Sequence, residues 1–383
     1  MATFLRKLFS ARGLSRHHPL VEATQAIQQA MARQATAAPA WPAASALVAR
    51  ESPDPAGGAP AGRFVADSFS GAFGARSYKL FEPAGREGRA LPLVVMLHGC
   101  TQNADDFAAG TRMNALAQER GLFVLYPEQG PRSNANKCWN WFVPGDQRRG
   151  HGEPALIAAM TRHIMKTHAI DADRVYVAGL SAGGAMAAIL AREYPDLFAA
   201  AGVHSGLAPG VAHDVASAFA AMQSGPSKAG GWRAGPGKAP MSMSMPAAWP
   251  QARDDGASSE VEATRGAPLI VFHGDADTTV SAQNGAHVIE AALGPAERRE
   301  TREAAAVPQG GRAFTRVVYG SADAPAEAPS RAEHWIVHGA AHAWSGGDAS
   351  GSFTDRAGPD ASREMLRFFA EHPLRHEAVV FAT

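Results

Sequence analysis

The chain has few cysteines, no long apolar run and no excess of charge of either sign. Two cysteines in 383 residues, Cys100 and Cys138, are too few for a disulfide scaffold and lack metal-site spacing. Spacing alone leaves open whether they pair with each other or stay as buried thiols. No stretch approaches the roughly 18 consecutive apolar residues of a membrane-crossing helix, so no transmembrane segment is expected. Basic and acidic side chains number 36 each, for a formal charge of +0. No field of one sign is then available to draw in nucleic acid, and nucleic-acid binding is not expected. The opening MATFLRKLFSARGLSRHH has basic residues but no continuous apolar core and no clear small-residue cleavage site. It therefore does not read as a secretory signal peptide.

Hydrophobic residues are plentiful at 46%, enough for a sizeable core. The length suits one α/β domain of roughly 250–300 residues with extensions. Residues 1–62 read as such an extension. Leu20, Ala23, Ile27 and Met31 fall near helical spacing, and the Ala/Pro-rich stretch from Ala35 to Gly62 reads as a linker.

From residue 63 to about 375 the pattern is that of one catalytic domain. Short apolar runs at Leu93–Leu97, Leu122–Tyr126, Arg174–Ala178, Leu269–Phe272 and His334–Val337 alternate with helical stretches near Asp105–Arg120, Glu153–His168 and Asp360–Glu371. Continuous apolar strands alternating with helices predict an α/β fold with a mostly parallel central sheet flanked by helices. Residues 212–266, with their SGPSKAGGWRAGPGKAP and MSMSM tracts, interrupt this rhythm. They are too long for an ordinary loop and predict a lid-like or disordered insertion before the strand at Leu269.

Gly179-Leu180-Ser181-Ala182-Gly183 matches G-x-S-x-G. With 39 glycines in the chain the match alone is weak, and a helix-capping serine in a Gly-rich turn is the ordinary alternative. Its position between an apolar strand and an Ala-rich helix is the setting that a strained nucleophile elbow requires. Ser181 is accordingly the candidate nucleophile. A serine hydroxyl needs a base, and the base an orienting acid. The carboxylates in HGDADTTV, Asp275 and Asp277, follow the strand Leu269–Phe272, and both remain candidates at this level. His342 follows the last strand on a loop able to reach back; its rival is His338, at the strand end. Oxyanion binding would fall to the backbone N–H of Ala182 and to one from His98-Gly99-Cys100-Thr101, most directly Cys100. The run Cys138-Trp139-Asn140-Trp141-Phe142 suits either a core anchor or an apolar substrate wall. A Cys100–Cys138 bridge would clamp that run beside the oxyanion site.

Taken together, HGCTQNADDF (98–107), NKCWNWF (136–142), GLSAGGAMA (179–187), GVHSG (202–206), HGDADTTV (273–280) and HAWSGG (342–347) resemble the poly(3-hydroxybutyrate) depolymerase family of esterases, itself similar to feruloyl and acetylxylan esterases. The resemblance spans about residues 63–372. It implies an α/β-hydrolase that cleaves carboxylic esters through an acyl-enzyme, with no metal and no organic cofactor. By position it implies Ser181 as nucleophile, His342 as base, Asp277 rather than Asp275 as acid, Cys100 at the oxyanion site, and Trp139 and Trp141 near the substrate. The implied substrate is a small or oligomeric ester, from hydroxyalkanoates and other short acyl chains to feruloyl or acetylxylan types. The family's frequent export implies an extracellular location, against which stands the missing signal; a cytoplasmic one fits that absence. A catalytically silent hydrolase-fold interaction protein is the reading from another class, and its usual mark, a lost Ser, Asp or His, is not found. The sequence leaves the oligomeric state open.

Overall fold

The computed structural model describes residues 62–85, 88–224, 266–293, 298–305, 311–321 and 329–374. Within them a ten-stranded sheet runs in the order β1-β2-β4-β3-β5-β6-β7-β10-β9-β8. Its strands are β1 (Arg63–Gly71), β2 (Gly74–Glu82), β3 (Leu91–Leu97), β4 (Phe123–Pro127), β5 (Ile170–Leu180), β6 (Ala200–His204), β7 (Leu269–Gly274), β8 (Arg298–Ala305), β9 (Phe314–Ser321) and β10 (Ala332–Val337). The six central strands, β4-β3-β5-β6-β7-β10, are parallel. Antiparallel hairpins extend the sheet at both edges.

The apolar strands become central because both of their faces can be covered. In β3, Leu93, Val95 and Leu97 point into one core while Val94 and Met96 point into the other. On the first face lie α3 (Gly152–Thr167) and α4 (Ala182–Glu193), contributing Ile157, Met160, Met186 and Ile189. On the second lie α1 (Ala104–Thr111), α2 (Met113–Arg120) and α7 (Ala361–Glu371), contributing Phe107, Met113, Met365 and Phe369. The mostly parallel sheet flanked by helices, read from the sequence, is the fold observed.

Several boundaries differ from the sequence reading, each for a local reason. The helix expected over Asp105–Arg120 is two helices, broken where Arg112 takes a left-handed φ of 55° and its N–H bonds back to Ala109 O. The expected insertion opens with a helix, α5 (Val215–Ser224), held at its end by hydrogen bonds from Ser281 N to Met222 O and from Asn284 Nδ2 to Ala221 O. A further helix, α6 (Gln283–Leu293), follows β7. Residues 225–265 of the expected insertion, and the helix and linker expected within residues 1–61, lie outside the described residues.

The chain leaves β3 for β4 on one side and returns through β5 on the other side of β3. Between β3 and β5 the strand order thus reverses. Ligand sites in such sheets form at the carboxyl ends of the strands beside such a reversal. The segment His98–Thr101 follows β3 there, and Ser181 follows β5.

Candidate active site

Ser181 occupies the turn from β5 to α4 with φ 57° and ψ −118°. A non-glycine residue held there carries roughly 1–3 kcal/mol of strain, so the surroundings must impose it. Its N–H is fixed to His204 O at 2.9 Å and its C=O accepts from Ala185 N at 2.9 Å. The flanking glycines are needed for space. A Cβ on Gly183 would overlap Leu97 O and lie 2.6 Å from His98 O, and one on Gly179 would collide with the Gly183 carbonyl group. Helix α4 therefore sits directly on the end of β3, which brings the Ser181 turn and the His98–Thr101 segment side by side.

Two residues whose backbone N–H groups matter here, Ala182 and Cys100, line the same cleft. Ala182 opens α4, where the first N–H groups of a helix lack intrahelical acceptors and carry the positive end of its dipole. In the β3 loop the neighbours of Cys100 are already committed: Gly99 N donates to Gln102 Oε1 at 2.9 Å and Thr101 N to Asn136 O at 2.7 Å. The Cys100 N–H between them is left for another acceptor. Thr101, with φ 68°, makes the reversal that turns it out of the ladder.

The acid–base candidates lie further along the same carboxyl ends, Asp277 after β7, two strands from β5, and His342 after β10, three strands from it. His342 Nδ1 is 2.7 Å from Asp277 Oδ2. A carboxylate only accepts, so Nδ1 donates and Nε2 is the nitrogen free to take a proton. Asp277 Oδ1 accepts from Thr279 N at 2.9 Å and Val280 N at 2.8 Å. Burial alone would push the Asp277 carboxyl up. The surrounding donors outweigh it: His273, His342 and the Val280 N–H hold it well below the usual carboxylate range. His273 Nε2 lies 3.5 Å from Oδ2, and its shorter contact, 2.9 Å, is to Val280 O. Asp277 is thus a fixed, buried anion paired with His342.

Both rival residues prove to be partnered as well. His338 Nδ1 meets Asp275 Oδ2 at 2.8 Å, and Asp275 Oδ1 accepts from Gly339 N at 2.6 Å. This second Asp–His pair is exposed and ties the loop after β7 to the loop after β10. The two aspartates differ in burial: the Asp277 side chain is fully buried, whereas that of Asp275 is exposed.

His204, at the end of β6, joins the two halves of the site. Its C=O receives Ser181 N, its Nε2 accepts from Ser345 N at 3.0 Å, and its ring stacks on Trp344 with centroids 5.1 Å apart. The sequence reading gave it no role. Its signal was available in GVHSG: like His98 in HGCT and His273 in HGDAD, it stands at the end of a parallel strand just before small residues. Burial, reinforced by His273 and His342 nearby, pushes the His204 ring down to about 3. His334, also buried and close to His273, is pushed down to about 4. In the unfolded chain both titrate near 6.5. Between about pH 4 and 6.5 the unfolded chain then binds more protons, so their stabilisation is complete above pH 6.5 and lost as pH falls. Each ring should contribute on the order of 3 kcal/mol to this loss. Urea denaturation from pH 7 to 4.5 should show it, with a visibly shallower slope in His204→Gln; an unchanged slope in that variant would refute the assignment.

Beside Ser181 is a cleft of about 480 Å³, part of it open to solvent. Trp141, Phe142, Leu207, Met222 and Val280 supply its apolar walls, and Asn134 and Ser181 its polar atoms. Cys100 and Cys138 are joined by a disulfide with Cα atoms 4.2 Å apart, and both line the cleft. The two tryptophans separate. Trp141 lines the cleft, its ring 5.7 Å from that of Phe142 and perpendicular to it. Trp139 does not: it is fully buried and donates from Nε1 to His98 O at 3.1 Å. Trp139, expected near the substrate, props the loop from beneath and does not line this cleft. Among the described residues no group of three or more His, Cys, Asp or Glu is arranged to hold a metal ion, and no helix is long and apolar enough to cross a membrane.

Residues 76–232 match the family model described as Esterase PHB depolymerase. Poly(3-hydroxyalkanoate) depolymerase C of Paucimonas lemoignei is 38% identical over 209 residues, covering 54% of this chain and 45% of that protein. Feruloyl esterase B of Thermothelomyces thermophilus is 38% identical over 128 residues, covering 33% of this chain and 43% of that protein. The chain thus spans less than half the length of either relative. Among solved structures, an acetyl xylan esterase from Aspergillus awamori superposes with a TM-score of 0.54 at 17% identity, covering 82% of this chain and 100% of that one. That likeness bears out the α/β-hydrolase fold, and the family match bears out the resemblance read from the motifs.

Proposed function

Starting from this likeness to poly(3-hydroxybutyrate) depolymerase esterases, we propose that residues 63–375 form a serine esterase acting through an acyl-enzyme on uncharged, short-chain or hydroxyalkanoate esters. The observation that carries the reading is the strained Ser181 elbow sharing one sheet edge with the buried Asp277–His342 pair. His342 Nε2 takes the Ser181 proton as Oγ attacks the ester carbonyl. The N–H groups of Ala182 and Cys100 receive the developing oxyanion. His342 then protonates the departing alcohol, activates a water molecule, and returns a proton to Ser181 as the acid is released. Ser181, Asp277 and His342 form the triad on this reading.

The cleft supports this choice of substrate class. Among the described residues that line it none is charged, so nothing there would offset the burial of a charged acyl group. The disulfide supports an oxidising, extracellular location. A second reading, an esterase releasing feruloyl groups, draws on the Trp141–Phe142 pair, whose rings could receive an aromatic acyl group.

A hydrolysis panel of hydroxybutyrate oligomers, acetylated xylan, methyl ferulate and p-nitrophenyl acetate separates these. The expected result is turnover of the acetate ester and the oligomers at kcat/KM at least about tenfold above methyl ferulate, a gap of about 1.4 kcal/mol. The reverse order would favour the feruloyl reading. No turnover of any of the four would refute the esterase proposal.

A further inference from the structure

Glu153 is the second residue of α3 and is 5% exposed. No motif marks it, and the proposed mechanism does not use it. Yet its carboxylate collects donors from three directions. Oε1 accepts from Arg76 Nη2 at 3.2 Å, from Asn140 Nδ2 at 2.9 Å and from Gln129 Nε2, while Oε2 accepts from Asn140 N at 2.7 Å. A buried carboxylate with this many donors is fixed in place, and it fixes them in turn.

Gln129 and Asn140 bracket the loop that runs along the oxyanion segment. Gln129 Nε2 also donates to Cys138 O at 3.0 Å, and Gln129 N donates to His98 Nε2 at 3.0 Å. From the same loop Trp139 Nε1 reaches His98 O, Asn136 O receives Thr101 N, and Cys138 is bonded to Cys100. The loop is thus a wedge with Glu153 on one side and His98–Thr101 on the other.

We propose that Glu153 is a positioning residue for the esterase reaction, holding the 129–140 loop so that Cys138 and Trp139 keep the Cys100 N–H aimed at the oxyanion. The proposal rests on the serine-esterase reading above. The charged groups facing Glu153 are Arg76 from β2 and Asp146 from the turn before α3, whose Oδ1 accepts Glu153 N at 2.6 Å. Burial, with Asp146 beside it, pushes the Glu153 carboxyl up to about 7 despite the donors around it. Its ionised form accepts from all of them. Adding a proton puts an O–H among N–H groups, one of which must let go.

Glu153→Gln mimics the protonated form at every pH. At pH 8 its kcat on p-nitrophenyl acetate should fall roughly tenfold, within the roughly 100-fold that a 1 Å displacement of catalytic groups can cost. At pH 6 the two proteins should differ by less than about twofold, because the native carboxyl is then protonated too. An equal loss at both pH values would indicate a merely structural role, and no loss at pH 8 would overturn the proposal outright. Tryptophan fluorescence supplies a readout independent of turnover. The native protein should show a transition with a midpoint near pH 7 that Glu153→Gln lacks; the same transition in both would refute the link. Should Glu153→Gln fail to fold, Gln129→Met keeps the volume and cuts the connection. It should show the same pH 8 loss, and native kcat in that variant would sink the idea. Failure of the esterase reading itself would appear instead as undiminished turnover by Ser181→Ala, which leaves the fluorescence transition untouched.

Discussion

Ser181→Ala is expected to lower kcat on p-nitrophenyl acetate by about 10⁴- to 10⁶-fold, the range seen when a serine-hydrolase nucleophile is removed. The loss should fall on chemistry and not on folding. The bonds that shape the elbow are made by the main chain of Ser181, from N to His204 O and from O to Ala185 N, and alanine keeps both. The space at the turn is set by Gly179 and Gly183, which are untouched. The urea midpoint should therefore move by less than about 1 kcal/mol in stability, as for a substitution that creates neither a cavity nor a buried unpaired group. A variant with more than a hundredth of native kcat would remove Ser181 from its role. One that fails to fold would show that the hydroxyl supports the turn, contrary to its geometry.

Asp277→Asn should cost about 10⁴ in kcat, for a different reason. Oδ1 is held by the N–H groups of Thr279 and Val280, so the asparagine oxygen will keep that side and its NH₂ will face His342 Nδ1. A donor there forces the proton of the neutral imidazole onto Nε2, the nitrogen that must accept from Ser181. The base is then present but in the wrong tautomer. Asp275→Asn is the control: its carboxylate is exposed and serves His338 and Gly339, and less than a tenfold loss is expected. Steady-state kinetics at pH 8 on both variants decide the matter. If Asp275→Asn proved the more damaging, the acid would have to be reassigned and the base would become His338.

How far the site was legible follows from the same physics. The parallel strands stood out because burial on both faces leaves a continuous apolar run, as in Leu93–Leu97 and Leu269–Phe272. The elbow was legible because glycine is needed where α4 meets β3. Edge strands were not. The segment RRETREAA has the composition of a helix, yet it pairs antiparallel with β9 as β8; sheet context overrides propensity there. The break falls at Arg112, which is itself neither glycine nor proline, and Gly110 in the preceding turn is its one local sign. The choice between Asp275 and Asp277 could not be made from side-chain type, because each has its own histidine. Trp139 and Trp141 are two residues apart and face opposite ways, one into the core and one into the cleft, which composition does not encode. Glu153 and Gln129 escaped notice altogether, since a buried hydrogen-bonding hub has no spacing rule.

The central claim is that Ser181 is the atom donor to a covalent acyl-enzyme, and trapping tests it most directly. The protein would be treated with a fluorophosphonate, its intact mass recorded, and the labelled peptide sequenced by tandem mass spectrometry. A single adduct on Ser181 is expected, lost in Ser181→Ala and formed at least about 10³-fold more slowly in His342→Ala, where no base takes the proton. An adduct on another residue, or no adduct from a preparation that hydrolyses p-nitrophenyl acetate, would contradict it.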